Sequence, residues 1–124
     1  MSLKKDLTII FVSFYSKNLI EKPISQIDRD ISIIVIENSL DYELKKNLEK
    51  KYSNVRVIIP DKNTGNGGGA NIGLRLAKTK FVLYLDIDVD LSHSIIEKLY
   101  FNANKLNDFS ILGPSIEGLN YKEN

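Results

Sequence analysis

The segment LTIIFVSF, Leu7–Phe14, decides how the chain is built. Its apolar residues are largely β-branched or aromatic and run almost without interruption. A strand with one wet face would alternate apolar and polar residues. A continuous run instead predicts a strand covered on both faces, as in a parallel sheet between helices. The basic lead MSLKK gives the region the outline of a signal peptide. No small-residue cleavage site follows, and the β-branched character fits a first strand.

The same pattern recurs down the chain. ISIIVIE (Ile31–Glu37), VRVII (Val55–Ile59), FVLYL (Phe81–Leu85) and FSILG (Phe109–Gly113) read as further strands. Helical spacing falls between them. Ile20, Ile24 and Ile27 mark one face, with Pro23 near its start. Leu44, Leu48 and Tyr52 mark a second helix, capped by Ser39 or Asp41. Ala70, Leu74 and Ala77 line a third; Ile95, Ile96, Leu99 and Ala103 line a fourth, with Ser92 as its cap. The expectation is an open, mainly parallel α/β sheet with helices on both faces, Rossmann-like, in the order β-α-β-α-β-α-β-α-β. Ligands of such sheets bind beyond the carboxyl ends of the strands. The strand exits are therefore where function is to be sought.

Bulk properties narrow the field. A chain of 124 residues supports one domain and one sizeable core. Net charge is +1, so nothing marks a general nucleic-acid or anionic-membrane surface. No apolar run approaches the roughly 20 residues that span a bilayer. Cysteine is absent, which removes disulfides and thiolate metal sites and makes a reducing cytoplasm the expected compartment.

Two exits carry distinctive chemistry. NTGNGGGANIG (Asn63–Gly73) holds five of the seven glycines and reads as a loop leading into a helix. Glycine allows positive φ and close backbone approach, and a helix start offers free amides to an anion. No Gly-Lys-Ser/Thr ending makes it a Walker A loop. Gly65-x-Gly67-x-x-Ala70 does fit the dinucleotide fingerprint, and Asp86 follows Gly65 by 21 positions. Against that fingerprint, the loop follows the third strand rather than the first. The second exit is YLDIDVD, Tyr84–Asp90. If extended, Asp86, Asp88 and Asp90 would share one side, where like charges repel unless a cation or solvent separates them. The plain reading is a solvated acidic turn before a helix. The chemical reading is a hard divalent cation held by one or two carboxylates, with phosphate oxygens completing its shell.

Taken in order, these segments resemble the nucleotide-binding half of a family 2 glycosyltransferase with the glycosyltransferase A fold. IIFVSFYS is similar to that family's opening strand, IIVIENSLD to its second strand with Val-Asp-Asn-x-Ser, and NTGNGGGANIGL to its Asn- and Gly-rich segment. FVLYLDIDVDLS is similar to the strand entering Asp-x-Asp, and ILGPSI to the strand after it. The resemblance implies that Ser13 and Tyr15 lie at the nucleoside end and that Glu37 stands for the aspartate contacting base or ribose. It implies that Asn63, Gly65 and Asn71 shape the nucleotide pocket, that Asp86 sits near ribose or sugar, and that Asp88 ligates the metal, Mn²⁺ or Mg²⁺. Asp90 falls beyond the motif. Phe14-Tyr15 replaces the usual Tyr-Asn, and Glu37 is a methylene longer than the usual aspartate.

The expectation is thus a single domain, 1–124, forming an N-terminal fragment of a longer glycosyltransferase that can be inactive alone. It would bind a UDP-, dTDP- or GDP-linked sugar for inverting transfer to an acceptor hydroxyl. The acceptor would be a saccharide or lipid-linked glycan in surface polysaccharide or glycan synthesis. Peripheral attachment to the inner membrane face stays open for the full-length protein. No residue is assigned as general base; Glu117 reads as a solvated loop residue. The alternatives are a Rossmann-type NAD(P)-binding domain and a non-catalytic binding module such as a receiver-like domain.

Overall fold

The structure, a computed structural model, describes residues 2–106 and 111. The fifth expected strand, Phe109–Gly113, apart from Ile111, and Glu117 lie outside the described residues. The elements run α1 (Leu3–Asp6), β1 (Leu7–Ser13), α2 (Glu21–Ser25), β2 (Ser32–Glu37), α3 (Tyr42–Lys51), β3 (Val55–Ile58), α4 (Gly65–Leu76), β4 (Phe81–Leu85) and α5 (His93–Lys105). The short α1 is an addition to the expected order. The four strands form one all-parallel sheet, ordered β3-β2-β1-β4.

The unbroken apolar run behaves as its composition requires. Every residue of β1 is buried, and the two sides of the strand enter different cores. Ile9 and Phe11 join Ile20, Ile24, Val35, Leu44, Leu48, Val57 and Ile96 under α2, α3 and α5. Ile10 and Val12 join Ile34 and Ile36 on the opposite face, covered by Ile72 and Leu76 of α4 and by Ala77 just after it. Thr8, buried in this strand, bonds its hydroxyl to that of Thr79 at 2.7 Å. A buried polar group is thereby satisfied.

Helix α4, the third helix expected from the sequence, packs differently from the apolar spacing. Its buried residues are Gly69 and Gly73, while Leu74 is exposed. A Cβ built on Gly69 would lie 2.9 Å from Val12, and one on Gly73 would lie 2.7 Å from Ile10. The helix sits on β1 so closely that only glycine fits, and Leu74 is turned to solvent. The Gly-rich segment is correspondingly not a loop: helix begins at Gly65 itself, and Gly65 alone of its glycines has positive φ, 70°.

Local signals at α3 are borne out. Asp41, not Ser39, is its N-cap, accepting from the Leu44 amide at 2.9 Å. Asp41→Ala should therefore cost about 1 kcal/mol, read as a lowered urea midpoint with unchanged slope. At the other end, Lys51 and the Tyr52 hydroxyl both bond Glu21, tying α3 to α2.

Candidate functional site

In the order β3-β2-β1-β4, the chain reverses its direction of winding between β1 and β4. The crevice at such a switch, beyond the carboxyl ends of the strands, is where ligands of open α/β sheets bind. Four segments meet this edge: residues 13–16 after β1, 37–41 after β2, 63–67 opening α4, and 86–90 after β4.

The β2 exit holds the others together. Glu37 and Asn38 point to opposite sides of the sheet and are both buried, at 0% and 3% exposure. The Glu37 carboxylate accepts from the Ser39 amide (3.0 Å), the Asp41 amide (2.8 Å) and the Ser39 hydroxyl (2.5 Å). Ser39 Oγ in turn accepts from the Tyr15 amide at 3.1 Å. This places Glu37 inside the β2–α3 turn, reaching the β1 exit through Ser39.

On the other side, the Asn38 amide N–H donates to Ser13 O at 2.8 Å. Its side-chain oxygen accepts from Thr64 N (3.1 Å) and Thr64 Oγ1 (2.9 Å), and its Nδ2 donates to Gly65 O (3.1 Å). Asn63 Oδ1 accepts from Gly65 N at 2.9 Å. A helix leaves its first four amides without carbonyl partners. At α4, Asn38 takes that of Thr64 and Asn63 takes that of Gly65. Those of Asn66 and Gly67 are left for other partners, and a Cβ on Gly67 would meet nothing within 4 Å.

The expected site residues thus divide. Ser13, Tyr15, Glu37, Asn63 and Gly65 belong to one bonded edge. The buried Ser13 Oγ has no hydrogen-bond partner among the described residues. Tyr15 is 78% exposed and packs edge-on against Phe14 at 4.6 Å. Its φ of 49°, like the 59° of Leu40, lies in the left-handed region that side chains rarely adopt. Tyr15, Ser39, Leu40 and Tyr42 wall a concavity of about 470 Å³. Asn71 stands apart, exposed in mid-helix and about 9 Å along α4 from Gly65.

The acidic exit differs from an extended arrangement. β4 ends at Leu85, and the chain then turns, with Val89 N donating to Asp86 O at 3.2 Å. Asp86, Asp88 and Asp90 are exposed, and Asp90 accepts from Gln26 at 3.3 Å. Among the described residues no three His, Asp or Glu side chains gather into a metal cage. A cation here would use one or two carboxylates and ligand oxygens, a donor set suited to Mg²⁺ or Mn²⁺. Burial, and secondarily the Asp86 charge, raise the Tyr84 phenol above its ordinary range, so it stays neutral.

Sequence reasoning missed Asn38 and Thr64, and took Ser39 only for a helix cap. The polar run ENS at the end of a buried strand signals at most that these groups need partners, not which residues supply them.

A family model described as Glycosyl transferase family 2 matches residues 13–122. The chain belongs to this family. It is 29% identical over 115 residues to the low-salt glycan biosynthesis hexosyltransferase Agl10 of Haloferax volcanii, covering 90% of this chain and 36% of that protein. It is 30% identical over 124 residues to the poly(ribitol-phosphate) β-N-acetylglucosaminyltransferase TarP of Staphylococcus aureus, covering 92% of this chain and 38% of that one. The chain therefore spans little more than a third of these relatives. Among solved structures, S. aureus TarS 1–349 in complex with UDP superposes with a TM-score of 0.66 at 19% identity, over 81% of this chain and 32% of that one. TarS 1–349 alone gives 0.63 at 17% identity, with the same coverage. The likeness to TarS is one of fold. No helix among the described residues is long and apolar enough to cross a membrane.

Proposed function

We propose that this chain is the donor-binding part of an inverting glycosyltransferase that uses a nucleoside-diphosphate sugar in glycan or polysaccharide synthesis. The observation that carries the reading is the edge at the switch point. Asn38 and Asn63 fix the start of α4 and leave the Asn66 and Gly67 amides open, with the acidic turn of β4 on the other side of β1. The named activities of Agl10 and TarP, and the UDP complex of TarS, support the same chemistry.

In this reading Ser13 and Tyr15 bound the nucleoside, with Glu37 acting through Ser39. Asn63 and Gly65 shape the wall beside it, and Asn71 takes part through α4. Asp86 lies toward ribose or sugar, and Asp88 would hold Mn²⁺ or Mg²⁺. When bound, such a cation neutralises charge on the diphosphate leaving group. The Asn66 and Gly67 amides favour the same negative charge through hydrogen bonds and the helix dipole. In the transfer, an acceptor hydroxyl oxygen bonds to the anomeric carbon as the bond to diphosphate oxygen breaks. The hydroxyl proton passes to a carboxylate outside the residues assigned here. The acceptor is a saccharide or lipid-linked glycan.

Calorimetry with UDP, dTDP and GDP, each with and without Mn²⁺, tests this. At least one nucleotide should bind at or below millimolar Kd, more tightly with metal, while NAD does not bind. Binding of none of the three, or metal-independent binding of NAD, removes the proposal.

A further inference from the structure

The geometry points to Asn38 as a positioning residue for the donor nucleotide, holding the opening of α4 in fixed relation to the end of β1. This rests on the donor-site reading above. Asn38 touches both elements at once: its backbone N–H bonds Ser13 O, and its side chain bonds Thr64 and Gly65. Ser13 and Gly65 are the two nucleotide-site positions that these contacts bracket.

The chemistry requires an amide. Thr64 N–H can only donate, and Gly65 O can only accept, so the side chain must offer an acceptor and a donor in one planar group. That pairing also fixes which end of the amide is oxygen. An ionised carboxylate would satisfy Thr64 but not Gly65 O, and an aliphatic residue would satisfy neither. At 3% exposure, water cannot readily replace the lost partners.

The anchored stretch is one that needs anchoring. Gly65 and Gly67 are conformationally free, Gly65 is at φ 70°, and the N-cap Thr64 makes no capping bond with its own side chain. Further along, α4 is clamped to β1 by Gly69 and Gly73. Asn38 therefore governs the first turn and not the whole helix. In its absence the open amides of Asn66 and Gly67 lose a defined direction.

The test uses this chain, its Asn38→Ala variant and its Asn38→Asp variant, with UDP and Mn²⁺ as the probe. Amide hydrogen exchange on the free proteins should show protection lost at Thr64 and Gly65 in Asn38→Ala, with β1 to β3 unchanged. UDP affinity, measured well below the unfolding midpoint, should fall about tenfold, and the protection that UDP confers on the Asn66 and Gly67 amides of the parent should be lost with it. Asn38→Asp keeps the acceptor for Thr64 and guards against a misfolded Ala variant. It too should bind UDP more weakly; the buried charge facing Gly65 O lowers its melting temperature, so its affinity is compared at a temperature where circular dichroism shows both variants folded. If the parent binds UDP and the folded variants bind within twofold of it, the inference is wrong. Exchange that rises evenly across the sheet overturns it too, by showing a merely structural role. A parent that binds no nucleotide removes the donor-site reading and this inference with it.

Discussion

Gly73→Val should destabilise the fold by about 3 kcal/mol, the upper part of the range for overpacked interiors. A Cβ at position 73 already falls 2.7 Å from Ile10 Cδ1, 2.8 Å from its Cγ2 and 3.0 Å from its Cγ1. The Cδ1 atom can rotate away, but Cγ1 and Cγ2 are bonded directly to the Ile10 Cβ. Ile10 is fully buried in β1, between β2 and β4, so the strand cannot retreat. The helix must lift, exposing Ile34 and Ile36 as well as Ile10. Denaturant titration gives the loss as a lower midpoint, and Ile10→Ala in the same chain should recover part of it. Gly67→Ala is the matched control. It adds its methyl to open space and gains up to about 1 kcal/mol of helix propensity, so its effect should be neutral or stabilising. If both substitutions behave alike, the division of the glycines into packing and non-packing positions is wrong.

That division marks how far the sequence could be read. The strands were legible because continuous β-branched runs have few alternatives, and β1 to β4 lie where those runs fall. The cap of α3 was legible because aspartate before a periodic segment has a specific bond to make. The packing face of α4 was not. Its contact surface is made by Gly69 and Gly73, which leave no mark in an apolar pattern, so the periodicity drew attention to Leu74 instead. The role of residues 37–39 was hidden for a related reason. A polar run after a strand looks like a solvated turn, and nothing in the order of residues says that Thr64 and Gly65 will be brought against it. Even the acidic motif kept only part of its expected form. Alternation along an extended strand would align its three carboxylates, but the strand stops at Leu85 and the turn from Asp86 to Val89 replaces the pleat.

The turn makes Asp88 the cleanest probe of the proposed donor site. Asp88 is exposed and makes no hydrogen bond or ion pair with another described residue. Asp88→Ala should accordingly leave stability within about 0.5 kcal/mol of the parent, as for other exposed positions without partners. Its effect on ligand binding should be large. In the parent, UDP is expected to bind at least about tenfold more tightly with Mn²⁺ than with chelator, some 1.4 kcal/mol or more. In Asp88→Ala that difference should vanish, while the metal-free affinity stays near that of the parent or rises slightly as a negative charge leaves the diphosphate's surroundings. Asp90→Ala supplies the contrast, since Asp90 is already engaged with Gln26 and should keep the full metal effect. Equal loss in both variants would mean that the turn contributes only its net negative charge. A metal effect that survives Asp88→Ala but disappears in Asp86→Ala would move the ligand role two residues toward β4, beside Tyr84.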